Sequence, residues 1–245
     1  MGLFPLAAAL VSGAFSVSVI RQFLSRRRPH QLAWGISLAT FAAASLFAAV
    51  GMFAGWSAPV FRGYYLFGAL VNVPILALGT IYLYFPRRVG HGAAIVVAAA
   101  SAYAAVAVVG ADLMSGGLAV EGSIPMGSAV MPPAVRALSR YYSYVGFIVV
   151  LAGAVWSAVR LARKPGERFK RLAQGNGLIA AGTAVVAIGS AFARQGQGTV
   201  FAIGLAAGVT VMYAGFLRTA GSAARQPRSD RFEAPNGTAT DQALG

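Results

Sequence analysis

Long apolar runs alternate with short basic segments along this chain, and the spacing predicts helices that cross a membrane. A helix needs roughly 20 apolar residues to span a hydrocarbon core of about 30 Å at 1.5 Å per residue. Seven runs meet that length, at residues 3–20, 32–52, 63–85, 92–113, 138–160, 175–192 and 200–217. A polar tail from 219 to 245, rich in Pro, Ser, Arg, Gly and Thr, is expected to stay disordered.

The basic residues orient the runs. RQFLSRRRPHQ, from Arg21 to Gln31, carries four arginines directly after the first run, and no basic residue precedes it. A cleaved secretory signal has the reverse order. The first run therefore reads as a retained helix with its N-terminus outside, and the arginines stay in the cytoplasm. With seven spans, each basic-rich connection falls on that same side, and only Arg62, Arg136, Arg140 and Arg194 of the 20 Lys and Arg fall on the other. The expectation is an all-α integral membrane protein of the cell membrane: a seven-helix bundle, N-terminus out and C-terminus in.

Composition agrees with this reading. Hydrophobic residues make up 58% of the chain and charged residues 11%, with a mean hydropathy of +0.68; soluble proteins carry about 25% charged residues. The net charge of +14 is accounted for by the positive-inside bias, which favours anionic inner-leaflet lipid as a partner rather than nucleic acid. No cysteine is present, which removes disulfides, thiolate metal sites and cysteine nucleophiles.

Smaller patterns refine the plan. Trp34, Trp56, Tyr64, Tyr65, Tyr82, Tyr84, Tyr141 and Tyr142 lie near predicted span ends, where amphipathic rings favour the headgroup region. Gly204 and Gly208 form a small-xxx-small pair suited to close helix packing within the chain. Spans one to three and five to seven share a rhythm. SVIR at 18–21 and SAVR at 157–160 close the first helix of each set, and YLYFPR and YAGFLR end the third. A 3+1+3 parallel repeat is one reading, a plan used by transporters; chance similarity among apolar segments is the other.

Candidate chemistry is sparse. No acidic residue falls in the middle of a predicted span, Asp112 lying at the outer end of the fourth, which argues against carboxylate-driven ion pumping and intramembrane aspartyl chemistry. His30 and His91 both lie at the cytoplasmic boundary. They are the minor candidates for a haem or quinone, but Arg26–Arg28 and Arg87–Arg88 flank them and disfavour a bound cation, so no cofactor or metal is expected. Asn72 and Pro74, mid-span, are the best candidates for a midplane binding feature, because proline frees a backbone carbonyl and bends the axis. The plainer alternative is a packing kink with Asn72 bonded to a neighbouring helix. Thr210 and Tyr213 in span seven, and Trp156 and Ser157 in span five, are the repeat's rough counterparts. The loop at 114–136 is long enough to fold over a cavity mouth.

These features point to a transporter-like bundle that takes a small uncharged molecule or a lipid between its helices. The alternative is a non-catalytic sensor or accessory subunit, docking a membrane partner through the basic loop at 160–171 and the tail, whereas a homo-oligomer would suit the transporter. An enzyme lacks a visible nucleophile or acid–base pair.

Overall fold

The computed structural model describes residues 2–120, 122–194 and 197–224. The polar tail expected from 219 onward falls largely outside them. The described chain is helical. Its long helices are α1 (Leu3–Arg26), α2 (Pro29–Ala54), α3 (Ala58–Tyr84), α4 (Arg87–Val109), α5 (Pro133–Ala162), α6 (Glu167–Arg194) and α7 (Gly198–Ala224). Six of them contain a stretch long and apolar enough to cross a membrane, whereas α7 offers the shorter apolar stretch Ile203–Thr219.

Most helices outrun the apolar windows that announced them. α1 continues through Arg21 to Arg26, because cations are favoured at a helix C-terminus. Arg27 then closes it in the left-handed conformation (φ 51°), its N–H donating to the Phe23 carbonyl at 2.7 Å. α2, α3 and α5 each start behind a proline in the first turn, where a missing N–H costs nothing. α3 therefore begins at Ala58, inside the expected connection. α4 stops at Val109 before Gly110, short of the expected end.

Six of the long helices pack as a ring in the order α1, α2, α3, α5, α6, α7 and back to α1, and α4 lies outside against α3 and α5. Sequence neighbours within the ring run antiparallel. Ser16 of α1 donates to the Gly35 carbonyl of α2 at 2.8 Å. The two remaining seams are parallel. At α3/α5, Val73 lies against Gly146 and the Tyr84 hydroxyl donates to the Gly153 carbonyl at 2.7 Å. At α1/α7, Ala8 packs on Leu205 and Val209, while the Phe15 and Tyr213 rings meet at a tilt with centroids 5.0 Å apart.

Glycine sets the tightest interface. α6 carries Gly175, Gly182 and Gly189 at heptad spacing, so the face turned to α7 has a gap in its side chains once every two turns. α7 presents Gly204, Gly208 and Gly215 to it. A Cβ on Gly182 would lie 2.6 Å from the Gly208 carbonyl oxygen, and one on Gly215 2.6 Å from that of Gly175. Backbones this close gain dispersion contacts that lipid cannot supply. The Gly204/Gly208 pair thus serves packing within the chain.

Gly182→Ala should lower the melting midpoint in mild detergent, because overpacking here costs about 1–3 kcal/mol. Gly177, on the same helix, has nothing within 4 Å of an added Cβ. Gly177→Ala should therefore be neutral or stabilising, by up to about 1 kcal/mol from helix propensity. Equal destabilisation by both would show that the α6/α7 contact is not the cause.

Candidate functional site

Pro74 has no N–H, and in an α-helix its ring would clash with the Leu70 carbonyl one turn back. α3 answers with a wide π turn, Leu66–Val71, immediately before Asn72. Ser143 of α5 donates its hydroxyl to the Ala69 carbonyl at 3.2 Å. On the other flank, Ser37 of α2 reaches the Asn72 side-chain oxygen at 2.6 Å and its backbone carbonyl at 3.0 Å. Two serines from neighbouring helices thus bond to the wide turn and to the first residue of the regular helix that follows it. Turns of this kind are rare and recur at functional sites.

Asn72 is 9% exposed and Ser37 1% exposed, so the pair lies inside the bundle. Asn72 is bonded to a neighbouring helix, as the kink reading expects. Its side-chain oxygen accepts from Ser37, and its amide group still carries two N–H donors. Leu38 and Leu76, close in sequence to Ser37 and Asn72, pack with Phe15, Val19, Met212 and Tyr213.

The other candidates distribute unevenly around this pair. Tyr213 joins the Leu38–Leu76 cluster, and its hydroxyl lies 3.4 Å from that of Ser18. Thr210 is exposed and bonded to its own helix at Ala206. Trp156 is 64% exposed, on a part of α5 that faces away from the ring, and Ser157 is half-buried beside it. Of the four proposed counterparts, Tyr213 is the one that joins the cluster holding Leu38 and Leu76.

His30 and His91 each have their own aromatic partner. His30 meets Trp34 edge-on with centroids 5.2 Å apart, and Nδ1 of His91 is 3.0 Å from the Tyr82 hydroxyl. Trp34 in turn lies over Gly79. Among the described residues no group of three His, Cys, Asp or Glu gathers as a metal site would require.

The end of the bundle opposite the basic connections holds the largest cluster of buried apolar side chains. The 110–132 connection folds inward: Val130 and Met131 are fully buried with Phe61, and Ile124 joins them. The Trp56 indole N–H donates to the Ser123 carbonyl at 2.8 Å, and the Met114 N–H to the Val130 carbonyl at 3.1 Å. The Tyr65 hydroxyl is 3.0 Å from Ser139 Oγ. Trp56 and Tyr65, expected near span ends, are buried: the folded connection covers them, Ser123 of that connection accepts from Trp56, and Ser139 of α5 partners Tyr65. Arg62 and Arg136 border the same cluster, and Arg62 donates to the Ala111 carbonyl at 2.9 Å. Their Nε atoms are buried without a hydrogen-bond partner.

Sequence reasoning singled out neither Ser37 and Ser143 nor these two arginines. A proline in mid-span announces that donors are needed, but many serines compete for the role. Arg62 and Arg136 did carry a signal, as basic residues against the charge bias. No family profile, curated protein or solved structure matches the chain.

The Ser37–Asn72 bond can be measured directly. A double-mutant cycle with Ser37→Ala and Asn72→Ala should give a coupling of about 0.6 kcal/mol, and up to about 1.7, the range for hydrogen bonds between membrane helices. Additive effects would mean that the two side chains do not interact.

Proposed function

We propose that this protein is a transporter-like bundle of seven spans in a cell membrane, N-terminus out and C-terminus in, taking a small uncharged molecule or a lipid beside Asn72. The observation that carries the reading is the combination of ring order and proline turn. Two three-helix groups, α1–α3 and α5–α7, meet at two parallel seams, and α4 stands outside as a connector. A rotation exchanging the groups turns the α3/α5 seam into the α7/α1 seam. That is the relation expected of a parallel repeat about an axis along the membrane normal. α7 counts as the seventh span because its apolar stretch extends from a longer helix.

Beside that architecture, the wide turn places a hydrogen-bonding amide at the middle of α3, between α2 and α5. The polar groups near it are neutral, namely Ser37, Ser143 and Asn72. Nothing there neutralises an ion, so the preference is for uncharged or weakly polar chemistry. Loss of an amide donor from such a site leaves ligand polar groups unpaired and costs about tenfold or more in affinity. Anionic inner-leaflet lipid would meet the exposed cations of the connection around Arg160, Arg163 and Lys164.

A second reading, a sensor or accessory subunit, draws on the exposure of α4 and α5. Only 11% of their apolar windows is buried within the chain, and Val106, Tyr141 and Trp156 are among the exposed side chains. A stoichiometric membrane partner recovered with the intact protein would favour it; a monodisperse homo-oligomer would favour transport.

Extracted-ligand mass spectrometry on protein purified in mild detergent tests the leading reading. A co-purified neutral metabolite or lipid, reduced in occupancy at least tenfold by Asn72→Leu, is the expected result. Unchanged binding in both Asn72→Ala and Pro74→Ala would place the site elsewhere. A haem or quinone in the extract would move attention to His30 and His91.

A further inference from the structure

We infer that the end of the bundle closed by the 110–132 connection holds a binding site for a phosphate-type oxyanion, built from Arg62 and Arg136 with Arg140 at its rim. Arg62 stands in the second turn of α3, and Arg136 and Arg140 in the first two turns of α5. The three surround one cluster. Arg62 follows Phe61 and donates to Ala111, whose side chain packs with Phe61, Tyr65 and Val135. Arg136 follows Val135, and both Arg136 and Arg140 lie within electrostatic reach of the Tyr65 hydroxyl.

Three physical costs converge here. A guanidinium nitrogen buried without a partner loses its hydration with no return, and both Arg62 and Arg136 have Nε in that state. Like charges around one apolar cluster repel, and among the described residues the carboxylate–cation contact within 4.0 Å is Glu167–Lys170, at the far end of the bundle. Cations near the start of a helix also oppose its dipole. A single oxyanion removes all three. It accepts from the buried nitrogens, neutralises the repulsion, and suits the planar fork of arginine better than any other side chain.

The site is independent of the Asn72 reading. It lies near one membrane surface, so two sources share the required chemistry: free phosphate and the phosphate of a lipid headgroup. The Ser139 hydroxyl, which donates to the Arg136 carbonyl at 3.0 Å and accepts from Tyr65, holds the first turns of α5 against α3 and so keeps the arginines in place.

The full chain, reconstituted in nanodiscs of phosphatidylcholine alone, is melted across a series of inorganic phosphate concentrations, with chloride at matched ionic strength as reference. The melting midpoint should rise saturably with phosphate. Arg62→Gln and Arg136→Gln should each raise the half-saturating concentration about ten- to a hundredfold, the effect of losing a charged hydrogen bond. Arg163→Gln, at the opposite end, should leave it unchanged. If discs containing phosphatidylglycerol already show the higher midpoint, free phosphate adds nothing, and the two variants lose the gain, the occupant is the headgroup and the site stands. Where Arg136→Gln does not fold, Arg136→Lys keeps charge and stem but loses the paired geometry. Absence of a saturable shift in both disc types, or a shift that Arg62→Gln and Arg136→Lys leave untouched, overturns the site.

Discussion

The structure depends on one constraint: in hydrocarbon, each backbone polar group must find its partner within the protein. Helices meet it automatically except where proline removes a donor, and α3 places Pro74 at its centre. The wide turn before it relieves the clash, and Ser143 and Ser37, from two different helices, bond to Ala69 within it and to Asn72 just after it. α2 and α5 must therefore both flank α3, which makes α3 the shared wall of the ring. α4, which offers no such donor to the turn, lies outside.

Packing elsewhere follows from the same solvent. Lipid tails are as apolar as leucine, so burying a leucine against another helix gains little, and close contact has to come from shape. The glycine stripes of α6 and α7 answer that need by letting backbones touch. At α3/α5, Gly146 and Gly153 play the same part against Val73 and Tyr84. The serine hydroxyls bonded back to their own helices, such as Ser12 to the Ala8 carbonyl at 2.6 Å, keep polar atoms satisfied within these tight faces.

The end covered by the 110–132 connection obeys different rules. It forms a core like that of a soluble domain, with Phe61, Val130 and Met131 fully buried and indole and phenol groups bonded inside. Such a core fixes the starts of α3 and α5 relative to each other, and with them the arginines. Charge and packing are thus coupled at one end of the bundle, while the opposite end keeps its cations exposed on the connections.

The helices were legible in the sequence because a span is a local property. Apolar length and flanking arginines are read residue by residue, and the chain forms apolar helices close to where they predict. Helix ends shifted for reasons that are equally local, the first-turn prolines of α2, α3 and α5 and the stop at Gly110. Pro74 was legible as a disturbance for the same reason. Its consequences were not: which serines complete the turn depends on which helices stand beside α3, and hydropathy is silent on neighbours. Thr210 and Trp156 matched a repeat pattern on paper, yet rotation about the helix axis turned them outward. The cluster around Trp56 and Tyr65 also needed the fold, since amphipathic rings suit a headgroup layer and a covered core equally well. The sequence by itself determined that this chain enters a membrane as helices, because hydrophobic length acts on each segment alone. Only the tertiary structure decided which polar groups meet inside it, because that depends on the relative rotation and register of helices far apart in the chain.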